Sequence, residues 1–382
     1  MSAVLAVNIG YSPRHAAPPP GSRSLPPRRR RRTVIGLVAV CALLGGATAV
    51  VVLRVRQPAA PCSRATAAAG CQKRPKPQVV VYSGTKFGLR DPTDLTLSAG
   101  KVWITNQAGN SVTGFGWRSA GHPVVLTGPG YGFSAPGSIT TGHNHLWIAN
   151  TLANSITELS AADGSVTRKI TNVATPNSLV LFGNRLWVAN AGANSVSAFS
   201  VRTGALIRDF RGYGLANPDA LAVSNRRLWI ASSAADTVTE LNAATGTRYR
   251  TLHARRFGFR QPVSETASRT RLWVGNGTTG TITEIDTVTS KLVKVIGGAG
   301  YHLGGVMAMV LADGELWVTN TAGNSVTEID AATGRLIRVL AGPPYRFDHP
   351  VGVTAYRGRI WVANSDASAV TELVTASLSA VR

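Results

Sequence analysis

The groups with which this chain could do chemistry are few: seven histidines, 18 acids and three cysteines among 382 residues. No nucleophile elbow, phosphate-binding loop, HExxH pair or zinc-ligand spacing occurs among them. The sequence therefore offers no catalytic residue, no metal site and no cofactor motif. Cys62 and Cys71 flank eight residues and would close a small disulfide in an oxidising compartment. Five glutamates, Glu158, Glu240, Glu284, Glu328 and Glu372, recur at one place in an internal repeat. A charge repeated at equivalent places points to a strand or surface role rather than to a site. Five other side chains break the pattern of their neighbours and are the candidate ligand-binding residues: Arg260, Glu265, His302, Asp348 and His349. Their chemistry is hydrogen bonding and charge pairing with a ligand.

What must position these groups is the repeat itself. Trp103, Trp147, Trp187, Trp229, Trp273, Trp317 and Trp361 recur at intervals of 40 to 44 residues. Asn follows three places after Trp in six copies, with Ser232 in the other. A proline lies eleven places before Trp in six copies (Pro92, Pro136, Pro176, Pro218, Pro262 and Pro350), and Val306 takes its place in the seventh. Each copy reads as four short strands of β-branched residues separated by Asn, Gly and Asp turns. A four-stranded unit that is apolar on both faces needs a neighbour on each side, which describes the blade of a β-propeller. Only 15% of the residues are charged and 40 are glycine, which excludes a helical bundle. The chain ends soon after the third strand of its last copy, while Gln78–Tyr82 stands ten places before Pro92 as an unclaimed strand. The reading is thus all-β: a seven-bladed propeller over 78–382, closed three-plus-one and expected to be monomeric.

An aromatic residue lies five places before the proline position in six copies: Phe87, Tyr131, Tyr213, Phe257, Tyr301 and Tyr345. These rings either pack between blades or line a ligand-gripping mouth. Glu265 sits three places after its proline, where the other six copies carry Leu, Ile, Met or Val. A buried carboxyl there needs either a cationic partner, Arg260 or Arg269, or a place on the channel wall.

The net charge of +22 is concentrated ahead of the repeat: residues 1–77 hold 13 of the 40 Lys and Arg and no acid. That location argues against nucleic-acid binding. Residues 1–32 are Pro/Arg-rich and read as a disordered cytoplasmic tail. Residues 33–53 are uncharged and mostly apolar, long enough for one transmembrane signal-anchor helix, and 54–77 read as a linker. The arginines before the span keep the tail cytoplasmic and export the propeller. Cleavage after Ala49, giving a secreted protein, is the alternative.

Leu316-Trp317-Val318-Thr319-Asn320, with Asn324-Ser325-Val326-Thr327, resembles the YVTN/NHL-like propeller repeat, and more distantly the streptogramin (virginiamycin B) lyase propellers. The first resemblance implies the fold over 78–382. The second implies an enzyme, but some of those repeats end Trp-x-Thr-Glu, whereas Asn or Ser stands here. A lactonase-type propeller needs acidic metal ligands round its channel, and the sequence reveals no such cluster. The expectation is a membrane-anchored, extracytoplasmic, non-catalytic module that binds a protein or cell-envelope ligand at the channel mouth. A lyase or metal-dependent lactonase is the alternative.

Overall fold

In the computed structural model, which describes residues 75–375, every copy of the Trp frame builds one four-stranded antiparallel sheet, and seven such sheets form. Blades one to six span 92–126, 136–170, 176–211, 218–253, 262–297 and 306–341. The inner strand of each begins at the proline position, and the Trp frame forms the second strand. In the seventh blade Pro350–Tyr356, Arg359–Asn364 and Ala369–Val374 supply three strands, and Gln78–Tyr82 supplies the outer one. Gln78 stands opposite Val374 and Tyr82 opposite Val370. The inner strands of successive blades pack in order, and those of the first and last blades meet. The three-plus-one closure read from the sequence is the one observed.

The repeated residues are consumed by the frame. The seven repeat tryptophans are at most 2% exposed and pack between adjacent sheets. Asn106 donates its amide to the hydroxyls of Ser111 and Thr113, and Asn150, Asn190, Asn276 and Asn320 repeat this pattern. The Thr113 hydroxyl in turn donates to the Phe87 carbonyl at 2.8 Å, as Thr239 does to Tyr213 and Thr371 to Tyr345. A buried polar group costs stability unless it is satisfied, so this network explains the Asn, Ser and Thr of the frame.

Adjacent blades are clasped by the turn residue seven places after Trp. The Asn194 Oδ1 accepts from the Asn217 N–H at 2.7 Å, and Asn324 does the same for His349 at 2.8 Å. The receiving residue always precedes the proline position and lies at positive φ: 48° at Asn217 and 50° at His349. Non-glycine residues rarely hold that conformation, and here the interblade hydrogen bond compensates it.

The five repeated glutamates are structural. Glu240 is fully buried between Arg227, Arg250 and the Ser290 hydroxyl. Arg271 and Lys294 flank Glu284 at 3.0 and 3.4 Å, while Arg359 and the Tyr82 phenol hold Glu372. The aromatic residues before the proline position are also internal. Tyr131 stacks on Phe133, Phe257 on Phe259 and Tyr345 on Phe347, with centroids 5.2–5.4 Å apart. They pack into the interblade cores and line no mouth.

The tail 1–32, the apolar span 33–53, most of the linker and the Cys62–Cys71 pair lie outside the described residues. Among the described residues, no helix is long and apolar enough to cross a membrane.

Candidate functional site

The inner strands surround a channel that widens into a mouth of about 970 Å³. The mouth lies at the end where inner strands begin, because the loops that enter them and the turns between second and third strands both rim it. Arg90, Asp91, Gln107, Gln261, His349 and Asp366 come from those rims, whereas Asp94, Asp219, Glu265 and Met309 come from the inner strands.

Carboxyl groups outnumber basic groups on this wall. Five line it (Asp91, Asp94, Asp219, Glu265 and Asp366) against one guanidinium, Arg90, and one imidazole, His349. They fall in two groups: Asp91 and Asp366 at the seam of blades seven and one with Asp94 reaching from blade one to blade two, and Asp219 and Glu265 on blades four and five. In a ring of seven these groups face each other across the channel. Between them, Val263, Met307, Met309, Val351 and Val353 form an apolar stretch, and Asn177, Ser178 and Asn217 a polar one.

Each inner strand is bulged just after its proline position, which displaces one N–H from the ladder. The preceding blade caps that N–H: Ser178 Oγ accepts from Leu221, and Asp94 Oδ2 accepts from Ile139 at 2.9 Å. Asp94 is therefore a serine-like cap that carries a charge. Burial pushes its pKa up to about 6, against the lowering influence of the Ile139 and Leu95 N–H groups and Ser138. Asp219 accepts from Asn177 at 2.7 Å and Asn217 at 2.8 Å. Burial still raises its pKa, opposed by Ser233 and those two amides. Asp91 is raised by burial first and then by the nearby Asp366 carboxylate, with His349 opposing.

Glu265 is the least compensated of the five. Neither carboxyl oxygen has a hydrogen-bond partner of full geometry. Burial holds its pKa well above the ordinary carboxylate range, opposed only by the Ala222 N–H of blade four. The basic partners considered from the sequence are elsewhere: Arg260 is 3.7 Å from Asp236, and Arg269 lies exposed in a turn at the opposite end of the blade.

His349 stands on the rim with Nδ1 2.8 Å from Ser365 Oγ and 3.9 Å from Asp366 Oδ1. Both neighbours address one ring nitrogen, so this is not the relay of a serine nucleophile, which uses the two nitrogens separately. Of the sequence candidates, the channel brings together Glu265 and His349. Arg260, His302 and Asp348 are exposed on loops outside its lining. Asp91, Asp94, Asp219 and Asp366 also line the channel and were not among the residues singled out from the sequence. Asp94 was detectable, since the equivalent places hold only Ser, Ala or Gly. Among the described residues, no three His, Cys, Asp or Glu side chains are grouped as metal ligands.

These features define a seven-bladed β-propeller with an acidic, partly apolar channel mouth. No protein-family model matches the sequence, and no curated relative does. Among solved structures, virginiamycin B lyase from Staphylococcus aureus is similar with a TM-score of 0.64 and 16% identity, over 78% of this chain and 98% of that one. A streptogramin B lyase structure gives 0.63 and 17%, over 77% and 97%. The computationally designed Ika8 protein gives 0.56 and 14%, over 75% and 97%. At such identities the likeness is one of fold, and an enzyme and a designed protein share it.

Proposed function

We propose that the chain is a membrane-anchored, extracytoplasmic recognition propeller that binds, without catalysis, a cationic group on a protein or cell-envelope ligand. The observation that carries this reading is the channel wall: two facing groups of carboxylates joined by an apolar stretch. Such a wall favours an ammonium or guanidinium group attached to an apolar body. The apolar 33–53 span and the arginines before it support anchoring and export.

Calorimetry of the full-length protein in detergent, with spermidine as probe, tests the channel. Asp94→Asn and Asp219→Asn should each weaken binding several-fold, and unchanged affinity in both would overturn the reading. Protease added to intact cells should degrade the propeller, and protection would overturn export. A lyase is the second reading, favoured by His349, an imidazole fixed at the channel rim by Ser365. Turnover of a streptogramin by the wild type, lost in His349→Ala, would establish it in place of simple binding.

A further inference from the structure

The end of the propeller opposite the mouth carries one pair of aromatic residues that the frame does not explain. Fourteen places after the repeat Trp, five copies hold Ala161, Val201, Ala243, Thr287 and Ala331, all buried; the first copy holds Trp117, which is half-buried. Trp117 meets the exposed Tyr356 of blade seven edge-on, with centroids 5.2 Å apart. Arg118 lies 4.8 Å from the Trp117 ring and Arg357 lies 5.2 Å from the Tyr356 ring. Neither arginine makes an ion pair among the described residues.

We infer that this edge, formed by Trp117, Tyr356, Arg118 and Arg357, docks on the surface of an anionic lipid bilayer. The inference rests on the anchored reading of the chain. Three observations carry it. Trp and Tyr beside arginine are the side chains that settle at a bilayer interface, with rings at headgroup depth and guanidinium groups on phosphates. The free charge of the edge is of one sign: the turns 98–101, 116–123 and 356–359 hold Lys101, Arg118 and Arg357 and no acid, while Arg359 is paired with the buried Glu372. Finally, the chain enters the propeller at this end. Gln78 starts the outer strand opposite Val374, so the chain enters blade seven at the end of the sheet where the inner strand finishes at Tyr356. The 21 residues 54–74 reach at most about 70 Å when fully extended. That length tethers the propeller near the bilayer, and the aromatic and basic edge selects the face that meets it. Docking turns the acidic mouth away from the bilayer, toward ligand.

The test uses the full-length protein reconstituted into phosphatidylcholine vesicles, with and without phosphatidylglycerol, containing a brominated lipid that quenches tryptophan on contact. The seven repeat tryptophans are buried, so Trp117 is the reporter. Fluorescence should be quenched in anionic vesicles, less so in neutral ones, and the difference should vanish in Trp117→Phe, in Arg118→Glu/Arg357→Glu and at 1 M salt. Flotation after an alkaline wash reads the anchor separately. Flotation without quenching overturns the docking and leaves the anchor standing; loss of flotation overturns both. Quenching that persists in the double charge reversal also overturns the docking, because the aromatic pair would then reach lipid without the arginines.

Discussion

Replacing Glu265 by leucine discriminates between a carboxyl held by a cation and one left without a partner. The structure places it three residues after the proline position, where Leu95, Ile139, Leu179, Leu221, Met309 and Val353 are only 4–8% exposed. Among the described residues no cation or side chain pairs with either oxygen, and burial holds the pKa well above the ordinary carboxylate range, opposed only by the Ala222 N–H. Removing an unsatisfied buried polar group relieves about 1–3 kcal/mol, and leucine adds apolar burial at a site built for it. For a protein of this size about 1 kcal/mol moves the melting midpoint by roughly 2 °C, so Glu265→Leu should melt some 2–6 °C higher than wild type at pH 7. The pH dependence has a definite sign. The native carboxyl holds its proton to higher pH than the unfolded one does, so its contribution is fully present below the unfolded value. That contribution is lost as pH rises through the native value, at about 1.4 kcal/mol for each unit between the two. Wild type should therefore lose stability relative to Glu265→Leu and Glu265→Gln as the pH is raised from 4, and the two variants should not differ in slope. Thermal melts across pH 4–9 supply the readout. A drop of the size that follows a broken buried ion pair, about 3–5 kcal/mol, would refute the reasoning, as would parallel pH profiles.

Three further outcomes follow from particular contacts. Because the Asp94 pKa is pushed up to about 6, spermidine affinity should rise with pH through that value in wild type and lose that rise in Asp94→Asn, measured by calorimetry from pH 5 to 8. A chain beginning at Gly84 lacks the strand Gln78–Tyr82 and should melt well below one beginning at Pro77; equal midpoints would place the closure elsewhere. Asn324→Ala removes the acceptor for the His349 N–H and should cost about 0.5–1.5 kcal/mol, with His349 released from its left-handed conformation and its ring signal shifted in NMR spectra.

The fold was legible because its determinants are periodic. Trp, the Asn three places on and the proline eleven before recur in nearly every copy, and each has the same job in each blade. Even the outer strand of blade seven could be placed, since Gln78–Tyr82 stands at the spacing a fourth strand requires. The channel was legible only in part, for a geometric reason. Its carboxylates come from different offsets: one place before the proline at Asp91, then one, two and three after it at Asp219, Asp94 and Glu265, and a separate turn at Asp366. No linear spacing links them, and only ring closure brings blade seven against blade one. Glu265 was found because it interrupts an apolar series. Asp219 interrupts nothing, because the equivalent places hold Thr, Gly, Asn, Val and Met. Arg260, His302 and Asp348 are single-copy residues too, yet their loops carry them outside the lining.

A repeated frame also limits where a site can arise. The blades consume most of their own polar groups: the Asn amide nitrogens, the Thr hydroxyls and the buried glutamates have partners within the frame or in the neighbouring blade, while several repeat Trp indole N–H groups are buried without one among the described residues. A group that is already satisfied has little to offer a ligand, so binding must use departures from the repeat. Those departures segregate by face. At the mouth they are acids, Asp91, Asp94, Asp219, Glu265 and Asp366, whose raised pKa values at the first four show that the protein alone does not fully compensate them. At the opposite end they are Trp117 and Tyr356 with two arginines that make no ion pair among the described residues. A cation entering the mouth would supply what the carboxylates lack, and an anionic surface would supply what the arginines lack. The two ends thus call for partners of opposite charge.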